Sequence, residues 1–150
     1  LIHGGFVNES INGSLMEVRD YQGKGYSPLV SYGEWRVAVL RYLDELEPAR
    51  INTMERHLET DEVFILVHGK AMLILGGNNN HVDQLTSYVL EIGKINNVKK
   101  NTWHTISLSP DAHIIIVEND NTEKVNSEYC SLSQNLQHAT CRLATDFLAS

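Results

Sequence analysis

The chain reads as an all-β protein, a double-stranded β-helix or jelly-roll barrel followed by one carboxyl-terminal α-helix. Three observations predict this class. Short stretches rich in Val, Ile, Thr and aromatic residues recur between Trp35 and Glu118, as strands do. Turn-forming residues separate them, at Gly69, at Gly76-Gly-Asn-Asn-Asn80 and at Gly93. Beyond residue 130 the apolar residues change to helical spacing.

Residues 1 to 34 are rich in Gly, Ser and Asn, with Gly23, Gly25, Pro28 and Gly33 close together. They read as an irregular amino-terminal arm with one or two short strands, Leu15 to Val18 among them, covering an edge of a sheet. Trp35 to Leu43 is dense in β-branched and aromatic residues and long enough to cross a barrel. A helix also fits there, but the strands that follow favour a strand. Pro48 breaks the chain, and Ile51 to His57, Glu62 to Val67 and Lys70 to Leu75 are the next three strands. Gly76 to Asn80 accepts positive φ, as expected of a hairpin tip, and reads as a solvated loop. His81 to Gln84, Ser87 to Leu90, Lys94 to Val98, Thr102 to Leu108 and Ala112 to Glu118 continue the rhythm, so the barrel spans 35 to 118. Ser131-Leu-Ser-Gln134 has the form of a capping box. It opens a helix over 131–149, with Leu132, Leu136, Ala139, Leu143 and Phe147 as its apolar stripe. The stripe packs either on its own barrel or on a second subunit.

At 150 residues the chain forms one domain. The two cysteines, Cys130 and Cys141, match neither a disulfide framework nor a zinc pattern. Free thiols in a reducing compartment are expected, with a late disulfide as the lesser alternative. A net charge of −7, with Lys99-Lys100 as the only adjacent basic pair, argues against a nucleic-acid partner. No apolar run approaches the roughly 20 residues that cross a bilayer, and the first residues do not resemble a signal peptide. The expected location is cytoplasmic, without a membrane partner. There is no nucleophile elbow, phosphate-cradling loop or dinucleotide fingerprint.

The chemistry concentrates between Glu55 and Gly69. Strand alternation points Glu55 and His57 to one face and Arg56 to the other. If Glu62 opens the next strand, Phe64 and Leu66 continue on its side. Later, Thr102, His104 and Ile106 share a face opposite Trp103 and Thr105, which gives Trp103 a packing role.

Glu55-Arg-His57, then Glu62, then Gly69 resembles the first motif of the cupin superfamily: His-x-His, three or four residues, Glu, six residues, Gly. Glu55 stands in place of the first His. Gly93 to His104 is similar to the second cupin motif, which supplies a further His from a later strand. Lys99 and Asn101 stand where that motif has Pro and Gly, and Leu108 where it has Asn. Asn tolerates the left-handed conformation a turn needs, so Asn101 is an acceptable substitute.

With the two motifs facing each other inside a barrel, Glu55, His57, Glu62 and His104 converge. Two imidazoles and two carboxylates suit a divalent transition metal, Mn, Fe, Ni, Co or Zn, and the lack of thiolates disfavours a closed structural zinc site. His57 and His104 lead this ligand set, followed by Glu62 and Glu55, and the two carboxylates are also the candidate proton carriers. His3, His68, His81, His113 and His138 read as surface or satisfied side chains. Tyr42, Phe64, Leu66 and Met72 are candidate pocket residues, and at most one of Arg36 and Arg41 faces inward. The resemblance implies a metal-dependent enzyme of isomerase, lyase or dioxygenase type, acting on a small polar molecule such as a sugar derivative or carboxylic acid. The alternative is a non-catalytic small-ligand-binding module. A homodimer is expected with either.

Overall fold

The structure, a computed structural model, describes residues 15–150. Ten strands run in chain order: β1 (Gly25–Tyr32), β2 (Trp35–Arg41), β3 (Thr53–His57), β4 (Glu62–His68), β5 (Ala71–Leu75), β6 (Thr86–Val89), β7 (Ile95–Val98), β8 (His104–Leu108), β9 (His113–Asn119) and β10 (Ser127–Ser131). One helix, α1 (Gln134–Ala149), follows. The strands form two antiparallel five-stranded sheets, ordered β1-β2-β9-β4-β7 and β10-β3-β8-β5-β6. These are the facing sheets of a jelly roll.

Alternation sorts the side chains between two apolar clusters. Ala38, Leu40, Phe64, Leu66, Ile106, Leu108, Ile114 and Ile116 belong to the larger one, between the sheets. Met54, Met72, Ile74, Val82, Trp103 and Leu132 form a second, against which Leu136, Leu143 and Phe147 of α1 pack. The helix therefore covers its own barrel. Strand β5 is buried along Ala71, Met72, Leu73 and Ile74, because Leu73 serves the first cluster while Met72 and Ile74 serve the second. Met72 is thus a packing residue under the helix and does not line the pocket.

Two turns fix the motif strands. Gly69 between β4 and β5 has φ +77°, and a Cβ there would sit 2.7 Å from the Ala112 Cα and 2.9 Å from its nitrogen. A left-handed backbone against another backbone leaves room for glycine alone. Gly69→Ala is expected to cost about 2 kcal/mol or more, read as a lower midpoint of chemical unfolding; an unchanged midpoint would contradict the packing described. Asn101 is the non-glycine residue with positive φ among those described, at +66°. Its amide donates to the His57 carbonyl at 2.8 Å, so the turn before His104 is tied to the end of β3.

Several sequence expectations shift. Leu15 to Val18 carries no strand, whereas Gly25–Tyr32, within the expected arm, is an eight-residue edge strand. Pro28 is accommodated there because β1 is an edge and its register slips between Pro28 and Val30. His81 to Gln84 is a loop pinned by buried Val82 and by the Asn79 amide on Asp83. Gly76 to Asn80 is accordingly the start of a longer connection to β6, not a tight hairpin tip. β8 begins at His104 rather than Thr102. Ser127–Ser131 is a strand paired with β3, so Ser131 belongs to the sheet. The cap passes to Ser133, whose hydroxyl accepts from the Leu136 amide, and α1 starts at Gln134. Cys130 in β10 and Cys141 in α1 are half-buried free thiols. No described helix is long and apolar enough to cross a membrane.

Candidate metal centre

Both sheets supply the site. Glu55 and His57 lie on β3, Glu55 opposite His104 of β8 in the second sheet. Glu62 opens β4 in the first sheet. The four residues line one cavity of about 410 Å³ together with Leu40, Phe64, Ile106 and Ile116. Tyr42 packs against the apolar cluster below it. His68, His81 and His138 are exposed and His113 is half-buried at the start of β9; His3 lies outside the described residues.

Glu62 Oε2 is the focus. His104 Nε2 lies 2.9 Å from it and His57 Nε2 3.2 Å, and all three side chains are buried. His104 Nδ1 meets the Thr102 carbonyl at 2.9 Å, an acceptor only, so Nδ1 carries a hydrogen and Nε2 is the atom free to bind a cation. His57 Nδ1 meets the Ser127 hydroxyl at 2.9 Å. Donors bound to a divalent ion at about 2.0 to 2.2 Å sit about 3 Å apart when adjacent, which is the spacing found here. Without an ion, the same gaps hold protons.

The electrostatics agree with that picture. Burial alone would push the Glu62 carboxyl up, but hydrogen bonds from His104 and His57 outweigh it and hold it down at about 2. Burial disfavours the charged form of both imidazoles, yet Glu62 draws both above their ordinary value. Glu55 is pushed up, chiefly by its own burial. Tyr129, paired with Glu55 across β3 and β10, is also raised, first by burial and then by Glu55.

Sequence reasoning missed a second buried carboxylate beside Glu62. Glu118 of β9 accepts from Tyr26 Oη at 2.5 Å and from Arg36 Nε and Nη2 at 3.1 and 2.9 Å. Arg36 is the inward-facing arginine of β2, with a side chain 14% exposed. The signal for Glu118 was readable: along Ala112 to Glu118, alternation places Ile114, Ile116 and Glu118 on one face. Ser127 and Tyr129 reach the cavity from β10, and both were missed with that strand.

Two overlapping sets of residues bring ligand atoms within 4.8 Å of one another: Glu55, His57 and His104, and His57, Glu62 and Glu118. The predicted quartet lines one cavity, but Glu55 and Glu62 fall in different sets, each of which could hold a metal ion.

No protein-family model matches the chain, and no curated protein matches it. Solved structures do. Pac13, described as a nucleoside dehydratase, superposes with a TM-score of 0.51 at 8% identity, covering 77% of this chain and 87% of Pac13. A Streptomyces Pac13 variant solved with uridine gives 0.52 at 10% identity, covering 81% of this chain and 98% of that one. CapF of Staphylococcus aureus, described as a capsular polysaccharide assembling protein, gives 0.54 at 15% identity over 75% of this chain and 34% of CapF. The chain thus matches about a third of CapF's length. Likeness at these identities establishes the fold, and the fold is that of a cupin barrel, in agreement with the two motifs.

Proposed function

We propose that this cupin-fold chain is a metal-dependent enzyme that transforms a small polar molecule, such as a sugar derivative or carboxylic acid, inside the barrel cavity. The observation that carries this reading is the convergence of His57 Nε2 and His104 Nε2 on one oxygen of Glu62, with Glu55 close to both imidazoles. His57, His104, Glu62 and Glu55 would hold Mn, Fe, Ni, Co or Zn. A bound ion would supply Lewis acidity toward a carbonyl or hydroxyl of the substrate.

The chain's own groups divide the remaining work. Ser127 and the Thr102 carbonyl orient the two imidazoles from behind. Leu40, Phe64, Ile106 and Ile116 give the cavity apolar walls, which strengthen polar contacts beside them. Glu55, pushed up by burial, is suited to hold a proton and pass it to or from a substrate oxygen. Pac13 is a nucleoside dehydratase and CapF assembles capsular polysaccharide. Both concern sugar-bearing molecules, which supports a sugar derivative as the substrate class.

A second reading is a non-catalytic module that binds a small ligand in the same cavity. It is favoured by the contact of both imidazoles with Glu62, which already satisfies the centre without an ion.

The two readings part on metal content, measured by elemental mass spectrometry on protein purified without a metal-binding tag. About one equivalent of a transition metal is expected, lost on His104→Ala or His57→Ala while the fold persists. Wild-type protein that stays metal-free after reconstitution would overturn the enzyme reading and leave the binding module. A homodimer belongs to the same proposal and would appear as concentration-dependent size.

A further inference from the structure

We propose that Glu118 is a further metal-ligating residue of this centre, with Arg36 and Tyr26 as the groups that position it. This rests on reading the cavity as a metal centre and adds a ligand that the cupin motifs do not contain.

Strand pairing brings two carboxylates side by side. Val63 of β4 stands opposite Val117 of β9, and continuing that antiparallel register by one position sets Glu62 opposite Glu118. Both are only 6% exposed. Like charges directly opposite on adjacent strands repel, and buried carboxylates need a counter-charge. A cation between Glu62 and Glu118, beside the Arg36 guanidinium that already meets Glu118, offsets that repulsion.

Glu118 is held through one carboxylate oxygen. Tyr26 Oη, Arg36 Nε and Arg36 Nη2 all donate to Oε1. Arg36 is fixed in turn, with Nη1 on the Asp120 carbonyl at 3.0 Å and Nη2 on the Thr122 carbonyl at 2.8 Å. Oε1 is saturated, whereas Oε2 receives no such donor among the described residues. A carboxylate oxygen of Glu118 lies within 4.8 Å of ligand atoms of both His57 and Glu62. A carboxylate clamped on one oxygen and open on the other is how outer groups orient a metal ligand.

The test is a titration of Co²⁺ into chelator-stripped protein, followed by visible absorbance. Glu118→Gln keeps the size of the side chain and an oxygen for Tyr26 and Arg36, but removes the charge. Its affinity for Co²⁺ is expected to fall about 10- to 100-fold, with a changed absorbance envelope. Tyr26→Phe loses one positioning contact, so it should show a smaller fall with the wild-type envelope. If Glu118→Gln does not fold, Glu118→Asp keeps the charge near Arg36 and withdraws the carboxylate by one methylene, with the same loss expected. Wild-type affinity and spectrum in either folded Glu118 variant would overturn this inference alone. A wild-type protein that binds no Co²⁺ would overturn the metal centre and this ligand together.

Discussion

Metal-free protein is expected to be most stable between about pH 4.5 and 6.5, and Glu62→Gln to flatten that profile. Glu62 ordinarily titrates at 4.5 and is held at about 2 in the folded chain. A depressed carboxyl contributes stability that is present above its unfolded value and is lost as pH falls from 4.5 toward 2. The shift corresponds to about 3 kcal/mol. His57 and His104 run the other way. Each is raised above 6.5, so their contribution is complete below that pH and drains as pH rises through the folded values. Glu55, raised above 4.5, adds to the alkaline decline and draws the maximum toward the acid end of the window. The acid limb and the histidine share of the alkaline limb come from one three-residue contact and are not added together. Chemical unfolding in a chelator from pH 3 to 9 reads the profile, with the gap between wild type and Glu62→Gln widest inside the window. Parallel curves for the two proteins across that range would sink the account. Saturating Co²⁺ or Zn²⁺ should reverse the alkaline limb, since metal displaces the protons from Nε2 and binds more tightly as pH rises.

That one contact was legible in the sequence from two sources: strand alternation puts Glu55 and His57 on one face of β3, and the resemblance to the two cupin motifs implied that Glu62 of β4 and His104 of β8 join them. Glu118, Arg36 and Tyr26 were not legible as a unit, because they meet through the order β1-β2-β9-β4. Pairing among distant strands is set by topology, which alternation does not encode. The strand expectations failed at the polar edges. Gly25–Tyr32 carries glycine and proline that mimic a loop, and Ser127–Ser131 has no fully buried residue to announce a period of two. Each lies at the end of its sheet, where a strand is held by one neighbour and needs little apolar surface. The helix start moved for a related reason. Ser131 and Ser133 both suit a cap, and the pairing of Ser131 with Thr53 leaves the role to Ser133.

Trp103→Ala is expected to lower stability by about 3 to 5 kcal/mol, and the melting temperature by roughly 10 °C or more. Trp103 is 2% exposed in the cluster beneath α1. Its Nε1 donates to the Asn79 carbonyl at 2.9 Å, and the Arg56 guanidinium lies 4.3 Å from its ring centre. Its backbone adds two more contacts, the amide donating to the Gly77 carbonyl at 2.8 Å and the carbonyl accepting from the Gly76 amide at 2.7 Å. The residue therefore joins the loop after β5, the outer face of β3 and the helix at one point. Because β8 begins at the next residue, the side chain that packs outward at 103 also holds the imidazole that points inward at 104. Losing it should weaken Co²⁺ binding as well as stability, although Trp103 itself lies outside the cavity. Trp103→Phe keeps most of the buried surface and loses the Nε1 hydrogen bond, so it should cost about 1 to 2 kcal/mol and leave Co²⁺ affinity near the wild-type value. A Trp103→Ala protein that melts within about 2 °C of wild type would show that α1 and β8 are held by other contacts; loss of stability with full Co²⁺ affinity would show that His104 is placed by the Asn101 turn alone.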